Sequence, residues 1–163
     1  MPDKPSWLPE MISVEGEPKA IFETLYRIFS KDFKETRRTY KTYPVWHDRR
    51  IIDGKYEEGF WHLISRDDKK TKERLFDPRR AERLPWCGPT ISHSSDAFIK
   101  AWNYYEGKGG ISTYIWIEDL NYVIILKPRE QRVGKVYFLK TAYYIDGDRK
   151  KNQLQKKYGR RIQ

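Results

Sequence analysis

Cysteine, histidine and long apolar runs are scarce in this chain. Of its 163 residues, one is cysteine and three are histidine, which excludes an internal disulfide and a cysteine-rich zinc site. The longest aliphatic run, 123–126, is far too short to span a bilayer. The first residues, Met1 to Lys4, lack the charged-then-apolar pattern of a secretion signal. We therefore expect a cytoplasmic protein without a membrane segment.

Several enzyme motifs are also missing. The sequence contains no GxxxxGK[ST] phosphate loop, no GxGxxG and no HExxH. Acidic pairs such as Asp67-Asp68 and Glu118-Asp119 fall in apparent turns, where carboxylates are mostly solvated, so a two-metal nuclease built on them has little support. We expect neither a metal nor a cofactor.

Basic and aromatic residues are abundant. The 33 Lys and Arg residues exceed the 23 Asp and Glu residues, which gives a net charge of +10, and aromatic residues make up 15%. Surplus cations attract polyanions, which makes nucleic acid the first candidate partner, although a solvated basic surface without a ligand explains the excess equally well. The length fits one domain over residues 1–163.

The spacing of apolar residues predicts an α+β fold, with helices first and an antiparallel meander later in the chain. Pro85 and Pro89 are expected to end the helical turn that precedes them. The predicted elements are an irregular arm (1–17), a first helix (18–30), a strand (59–65), a helical turn (77–83), a second helix from Ser94 or Ser95 to Gly107, three strands (112–118, 122–127 and 135–145) and a basic final helix (148–158).

His62 is the strongest candidate for chemistry. Ribonucleases that need no metal move the ribose 2′-hydroxyl onto the adjacent phosphorus, which requires a base, an acid and donors for the phosphorane charge. An imidazole, with an ordinary pKa of about 6.5, suits either proton transfer. In a strand, His62 would project beside Arg66, whereas His47 and His93 lie in predicted loops. The competing interpretation is a hydrogen-bonded structural histidine.

Arginines follow His62 along the chain. Arg79, Arg80 and Arg83 belong to the predicted helical turn, from which one or two guanidinium groups would clamp a phosphate. Most arginines in such a charged run are only solvated. Of these arginines, Arg83 is the best candidate for a functional role, because the following Leu84-Pro85-Trp86 fixes the direction in which the chain leaves the turn.

The last predicted strand carries hydroxyl groups and a cation. Thr141 would share one face of the strand with Leu139, Tyr143 and Ile145. Its hydroxyl would then donate either to a scissile phosphate or to a cross-strand partner. Tyr143 and Tyr144 would face opposite sides of the sheet, so one of them at most reaches a shared cleft. The basic residues after Asp148 would form a track for RNA or a surface for an acidic partner.

Four segments of the chain together resemble the phage-associated barnase, EndoU, colicin and RelE-like nuclease group (the BECR fold). The resemblance extends over residues 59–158 and does not include the N-terminal arm or the helix through Trp46. It implies helices on a four-stranded antiparallel sheet, cleavage of RNA without a metal, and in many members a toxin restrained by an antitoxin or immunity protein. The segments are 60–64, 83–87, 122–126 and 138–144.

The resemblance also implies roles for His62, for Arg83, and for Thr141 with Tyr143 or Tyr144. We expect an endoribonuclease that leaves a 2′,3′-cyclic phosphate. Two alternatives remain open: a non-catalytic module that binds RNA or a protein, and a toxin that acts by another mechanism than cleavage. The predicted catalytic residues are His62, Arg83, Thr141, Tyr144 and Arg66, and the predicted RNA contacts are Arg79, Arg80, Tyr143, Lys140 and Trp86.

Overall fold

The computed structural model describes residues 3–162 of the chain. Over these residues the fold is α+β, as the sequence predicts, with five α-helices and eight strands. A π-helical turn, Ser30–Lys34, continues the first helix. The elements are α1 (Pro18–Phe29), β1 (Thr39–Tyr40), β2 (Tyr43–Trp46), α2 (Glu58–Ile64), β3 (Ser65–Asp67), β4 (Arg74–Phe76), α3 (Pro78–Glu82), α4 (Leu84–Ser92), β5 (Lys100–Tyr105), β6 (Ile111–Ile117), β7 (Tyr122–Gln131), β8 (Gly134–Tyr144) and α5 (Asp148–Gly159).

The first helix forms where the sequence predicts it. The side chain of Glu17 accepts hydrogen bonds from the first free backbone N–H groups, and Pro18 occupies the first helical position, where a missing N–H costs nothing. Leu25 and Phe29, four residues apart, bury the inner face. The predicted helical turn capped by Asp77 and the final helix are confirmed as α3 and α5.

The sheet differs from the prediction in size and in strand direction. It has six strands in the order β1-β2-β8-β7-β6-β5. Strands β5 to β8 form an antiparallel meander, but β2 runs parallel to β8, with Val45 paired to Tyr137. The predicted four-stranded antiparallel sheet is therefore corrected to a six-stranded mixed sheet. β3 and β4 form a separate two-stranded ribbon.

The predicted strand over 59–65 is wrong, because this segment is helix α2 up to Ile64. The sequence of this segment fits the spacing of a helix and that of a strand. Phe60, Leu63 and Ile64 are buried at helical spacing, while the same run also alternates as a strand would. Packing of α2 along β8 decides between them, and His62 therefore lies in the last turn of a helix.

The predicted second helix is also wrong. The chain makes turns after Ser94 and then forms the edge strand β5, in which Trp102 is buried against β6. The prolines that were expected to stop a helix are inside α4 instead. Pro85 lies in its first turn, where no N–H is needed, and Pro89 removes a single backbone bond from a helix with six buried residues.

Apolar side chains pack on both faces of the sheet. The larger cluster joins α1, α2 and α4 to one face, for example through Leu25, Ile64 and Leu126. Helix α5 covers part of the opposite face, which we call the α5 face, where Trp116, Ile125 and other residues pack around Leu154. None of the helices in residues 3–162 combines the length and apolar character needed to cross a membrane.

A bulge in β8 changes which residues share a face. Thr141 pairs with Ile125 and Leu139 pairs with Leu126, so Lys140 has no partner on β7. Leu139 consequently packs in the larger cluster, while Tyr143 packs on the α5 face. The uninterrupted alternation that the sequence predicts, with these residues on one face, is wrong for this reason.

Candidate functional site

Part of the α5 face is left uncovered by α5. On β7, Val123 and Ile125 belong to the cluster beneath α5, and Lys127 and Arg129 are the next residues with the same alternation. Phe138 of β8 pairs with Lys127. Beyond the apolar residues beneath α5, this face of the two longest strands, β7 and β8, therefore carries two cations and an aromatic ring.

A groove of about 500 Å³ opens over these residues, and we call it the histidine groove. His62 from α2 reaches it, as does Lys140 from the bulge of β8. A second hollow of about 460 Å³, lined by Trp46 and Arg49 among others, shares two lining residues with it. The lining residues of the histidine groove are Asp48, His62, Gly109, Lys127, Arg129, Phe138, Leu139 and Lys140.

The imidazole of His62 is half-buried in the wall of this groove. Burial lowers its pKa below the ordinary value, and the nearby carboxylates Glu58 and Asp48 only partly oppose that shift. The ring is therefore mostly neutral at pH 7. Its Nδ1 is buried and has no hydrogen-bond partner among residues 3–162, so none of these residues fixes the tautomer.

Three cations line the same groove as the imidazole and form no ion pair within the described residues. Lys127, Arg129 and Lys140 take part in none of the ion pairs among residues 3–162. Burial, together with repulsion from Lys140 and Arg129, lowers the pKa of Lys127. Its Nζ donates to the carbonyl of Gly109, 2.7 Å away. Like charges held this close favour binding of an anion.

Asp48, the one carboxylate in the lining, is already engaged. The guanidinium of Arg50 donates to both of its oxygens, at 2.9 Å from Nε and 2.6 Å from Nη2. This pair holds the pKa of Asp48 below its usual range. Asp48 therefore remains ionised at pH 7 and does not act as the acid of the groove.

Thr141 and Arg80 contact the main chain of His62 rather than its ring. The Thr141 hydroxyl donates to the carbonyl of His62 at 3.1 Å. Arg80 Nη1 donates to the same carbonyl at 3.3 Å and to Ser65 at 2.7 Å. Carbonyls at the end of a helix lack partners within that helix, so these side chains fix the last turn of α2 and position His62.

Arg83, Tyr144 and Trp86 form a second cluster, outside the lining of the histidine groove. The guanidinium of Arg83 stacks over Tyr144, 4.3 Å from the ring centre, and 5.5 Å from that of Trp86. Arg79 also lies over Tyr144, and it pairs with Asp146 at 3.1 Å. Arginine stacked in this way stabilises the contact between α3 and the end of β8.

The two remaining predicted residues lie apart from His62's ring as well. Arg66 is exposed on β3 and sits 3.8 Å from Asp77. Tyr143 lies under Arg80, 5.3 Å from the guanidinium carbon, in a separate cavity beneath α5. Of the ten residues predicted for the site, the histidine groove brings together His62 and Lys140.

Sequence reasoning missed six lining residues of the groove: Asp48, Gly109, Lys127, Arg129, Phe138 and Leu139. The signal for two of them was available, because Lys127 and Arg129 follow Val123 and Ile125 at strand alternation and so share their face. Within residues 3–162, no group of three or more His, Cys, Asp or Glu side chains is placed to hold a metal ion.

Comparison with known proteins leaves the family open. A scan of protein-family models, a search of curated proteins and a search of solved structures each found no match to this chain. The resemblance to the ribonuclease group therefore stays a prediction made from the sequence.

Proposed function

We propose that this chain is an endoribonuclease that holds single-stranded RNA in the histidine groove and cleaves it by attack of the ribose 2′-hydroxyl. One observation carries the proposal: the half-buried imidazole of His62 lines an open groove together with Lys127, Arg129 and Lys140. A base that is neutral at pH 7, in one groove with cations that form no ion pair in the described residues, suits transesterification of a phosphodiester.

The proposed reaction has His62 as general base. The neutral imidazole takes the 2′-hydroxyl proton while a bond forms between the 2′ oxygen and phosphorus. The bond from phosphorus to the 5′ oxygen breaks, and the leaving oxygen takes a proton from solvent. The ammonium group of Lys140, with the other two cations, stabilises the negative charge that builds up on the phosphorane. The product is a 2′,3′-cyclic phosphate.

Binding is supported by charge and by aromatic surface. Cations that neutralise phosphates release counterions and supply most of the affinity for RNA. Phe138 in the groove and Trp46 in the adjoining hollow are half-buried, with ring centres 5.9 Å apart. Unpaired bases stack on exposed aromatic rings, whatever their sequence.

The same groove would also be the target of a natural inhibitor. A ribonuclease toxin in the cytoplasm has to be restrained, and an antitoxin or immunity protein with an acidic surface would complement the basic lining. We include the toxin role in the proposal on the strength of the sequence resemblance and the charge of the groove.

Incubation of the purified chain with RNA in excess chelator tests the proposal. We expect fragments that end in a 2′,3′-cyclic phosphate, and a rate lowered at least about 100-fold by His62→Gln. His93→Gln is the matched control, because His93 is exposed and stacks on Trp7 away from the groove. Intact RNA with the wild type, or equal cleavage by His62→Gln, would overturn the assignment.

A second function, RNA binding without cleavage, is favoured by the unpartnered Nδ1 of His62. Catalytic imidazoles are usually oriented by a hydrogen bond on the second nitrogen, and His62 has none within the described residues. This function predicts salt-sensitive RNA binding without products, and binding that His62→Gln leaves almost intact.

A further inference from the structure

A smaller cavity of about 250 Å³ lies on the same face of the sheet, beneath α5. It is separate from the histidine groove, and apolar side chains such as Ile145 and Leu154 form part of its wall. Its polar lining consists of Arg80, Tyr114, Tyr143, Lys150, Gln153 and Lys157. The function proposed above does not use this cavity.

One face of α5 supplies half of that lining. Lys150, Gln153, Leu154 and Lys157 are spaced at three and four residues, so they share the helix face that packs on the sheet. Leu154 is buried and anchors the helix. Lys150, in contrast, is exposed and takes part in none of the ion pairs formed by residues 3–162.

Arg80 lies opposite α5 with part of its guanidinium group unsatisfied. Its Nη1 makes three hydrogen bonds, to His62, Ser65 and Thr141. Nε is buried without a hydrogen bond, although a carboxylate oxygen of Asp77 lies 3.5 Å away. No hydrogen bond within residues 3–162 uses Nη2.

The cavity therefore has an excess of positive charge. The cations are Arg80, Lys150 and Lys157, and of these Lys150 takes part in no ion pair among the described residues. Arg80 Nε lies 3.5 Å from Asp77, and Glu106 is 3.2 Å from the Nζ of Lys157. That Nζ also donates to the hydroxyl of Tyr114 at 2.8 Å. Hydrogen-bond donors converging from a guanidinium and two ammonium groups match the oxygens of a phosphate.

We propose that this cavity is a phosphate site, which we call the α5 phosphate site. The inference rests on the proposed function in one respect: the phosphate is that of a nucleotide next to the linkage held in the histidine groove. Arg80 connects the two places, because it lines the cavity and its Nη1 bonds to the main chain of His62. The site extends RNA recognition along the α5 face.

Two variants of α5 with the same charge change test the site. Lys150→Gln removes a lining cation, and Lys156→Gln removes an exposed cation of the same helix that does not line the cavity. A phosphate contact contributes about one unit to the slope of log affinity against log salt concentration. We expect Lys150→Gln to lower that slope by about one for a short RNA and to weaken binding roughly tenfold at low salt, while Lys156→Gln leaves the slope almost unchanged.

Titration with inorganic phosphate provides an independent readout. We expect shifts of the backbone amide resonances of Lys150, Gln153 and Lys157, which Lys150→Gln abolishes. Equal salt slopes for the two variants, together with no phosphate shifts on α5, would overturn the α5 phosphate site. If the wild type still bound RNA, the proposed function would not be affected by that result. No RNA binding by the wild type would overturn the proposed function and the RNA ligand of this site, and the phosphate shifts would then decide whether the cavity binds phosphate.

Discussion

The hydroxyl of Thr141 donates to the main-chain carbonyl of His62 over 3.1 Å, and Arg80 donates to that hydroxyl over the same distance. Residues 79 positions apart in the chain are joined in this way, at the point where α2 ends against β8. The bond places the imidazole of His62 in the wall of the groove without using its ring nitrogens. Thr141 is thus a positioning residue in this structure.

Replacing Thr141 tests that relationship. Thr141→Val keeps the shape but removes the donor to the His62 carbonyl, so the free energy of unfolding should fall by about 1–2 kcal/mol. Denaturant unfolding measures this change, and Thr141→Ser, which restores the hydroxyl, should recover most of it. A Thr141→Val variant with full stability but no RNA cleavage would instead show that the hydroxyl contacts the substrate.

Arg83 is expected to contribute to stability more than to RNA binding. Its guanidinium stacks on Tyr144 and Trp86, and Nη1 donates to the carbonyl of Arg79 at 2.9 Å. Arg83→Met keeps the aliphatic part of the side chain and loses these contacts, at a cost of about 1–2 kcal/mol. RNA affinity, measured on the folded variant, should change less than about twofold. A folded Arg83→Met variant that no longer binds RNA would show instead that Arg83 belongs to the RNA-binding site.

Lys140 is expected to contact phosphate directly. It is exposed at the bulge of β8 and lines the groove beside His62. Lys140→Gln should weaken RNA binding several-fold at low salt and lower the salt slope by about one. Lys19→Gln on α1 makes the same charge change at an exposed residue that does not line the groove, and it serves as the control. If both variants lowered the affinity equally, the attraction would be a property of net charge alone.

Stability should fall when the pH is lowered from about 7.5 to about 5. Burial lowers the pKa of both His47 and His62 in the folded chain. The unfolded chain then binds more protons, so stability is complete above the ordinary histidine pKa of about 6.5 and is lost as the pH falls through the folded values. Each unit of lowering corresponds to about 1.4 kcal/mol in the acid limit. Denaturant unfolding at a series of pH values measures this loss.

The variant His47→Leu separates the two histidines. His47 is buried against Phe29, with ring centres 5.0 Å apart, so leucine can occupy the site and does not titrate. The pH dependence should become shallower in this variant. Stability that stays constant or rises between pH 7.5 and pH 5 in the wild type would contradict the account of both histidines.

Local signals were sufficient to predict the elements that depend on nearby residues. Pro18 as a first helical residue and the helical spacing of Leu25 and Phe29 predict α1, and Asp77 before Pro78 predicts α3. Three strands of the meander, β6 to β8, follow from runs of β-branched and aromatic residues. These features act within a few residues and do not require knowledge of the whole fold.

The misplaced elements depend on contacts distant in sequence. Residues 60–64 fit a strand and a helix equally, and contact with β8, more than 70 residues later, decides for the helix. The parallel pairing of Val45 with Tyr137 has no local signature. The bulge at Lys140 shifts the alternation of β8 and separates Thr141 from Leu139. For the site, the sequence singles out His62 and Lys140 but not the cations on β7.

The most direct test of the histidine groove is the pKa of His62 with and without RNA. An RNA whose 2′-hydroxyls are methylated binds without being cleaved, and NMR titration then follows each imidazole separately. Phosphates held beside the ring favour its cationic form, so bound RNA should raise the pKa of His62. An unaltered His62 pKa in the presence of saturating RNA would contradict the account.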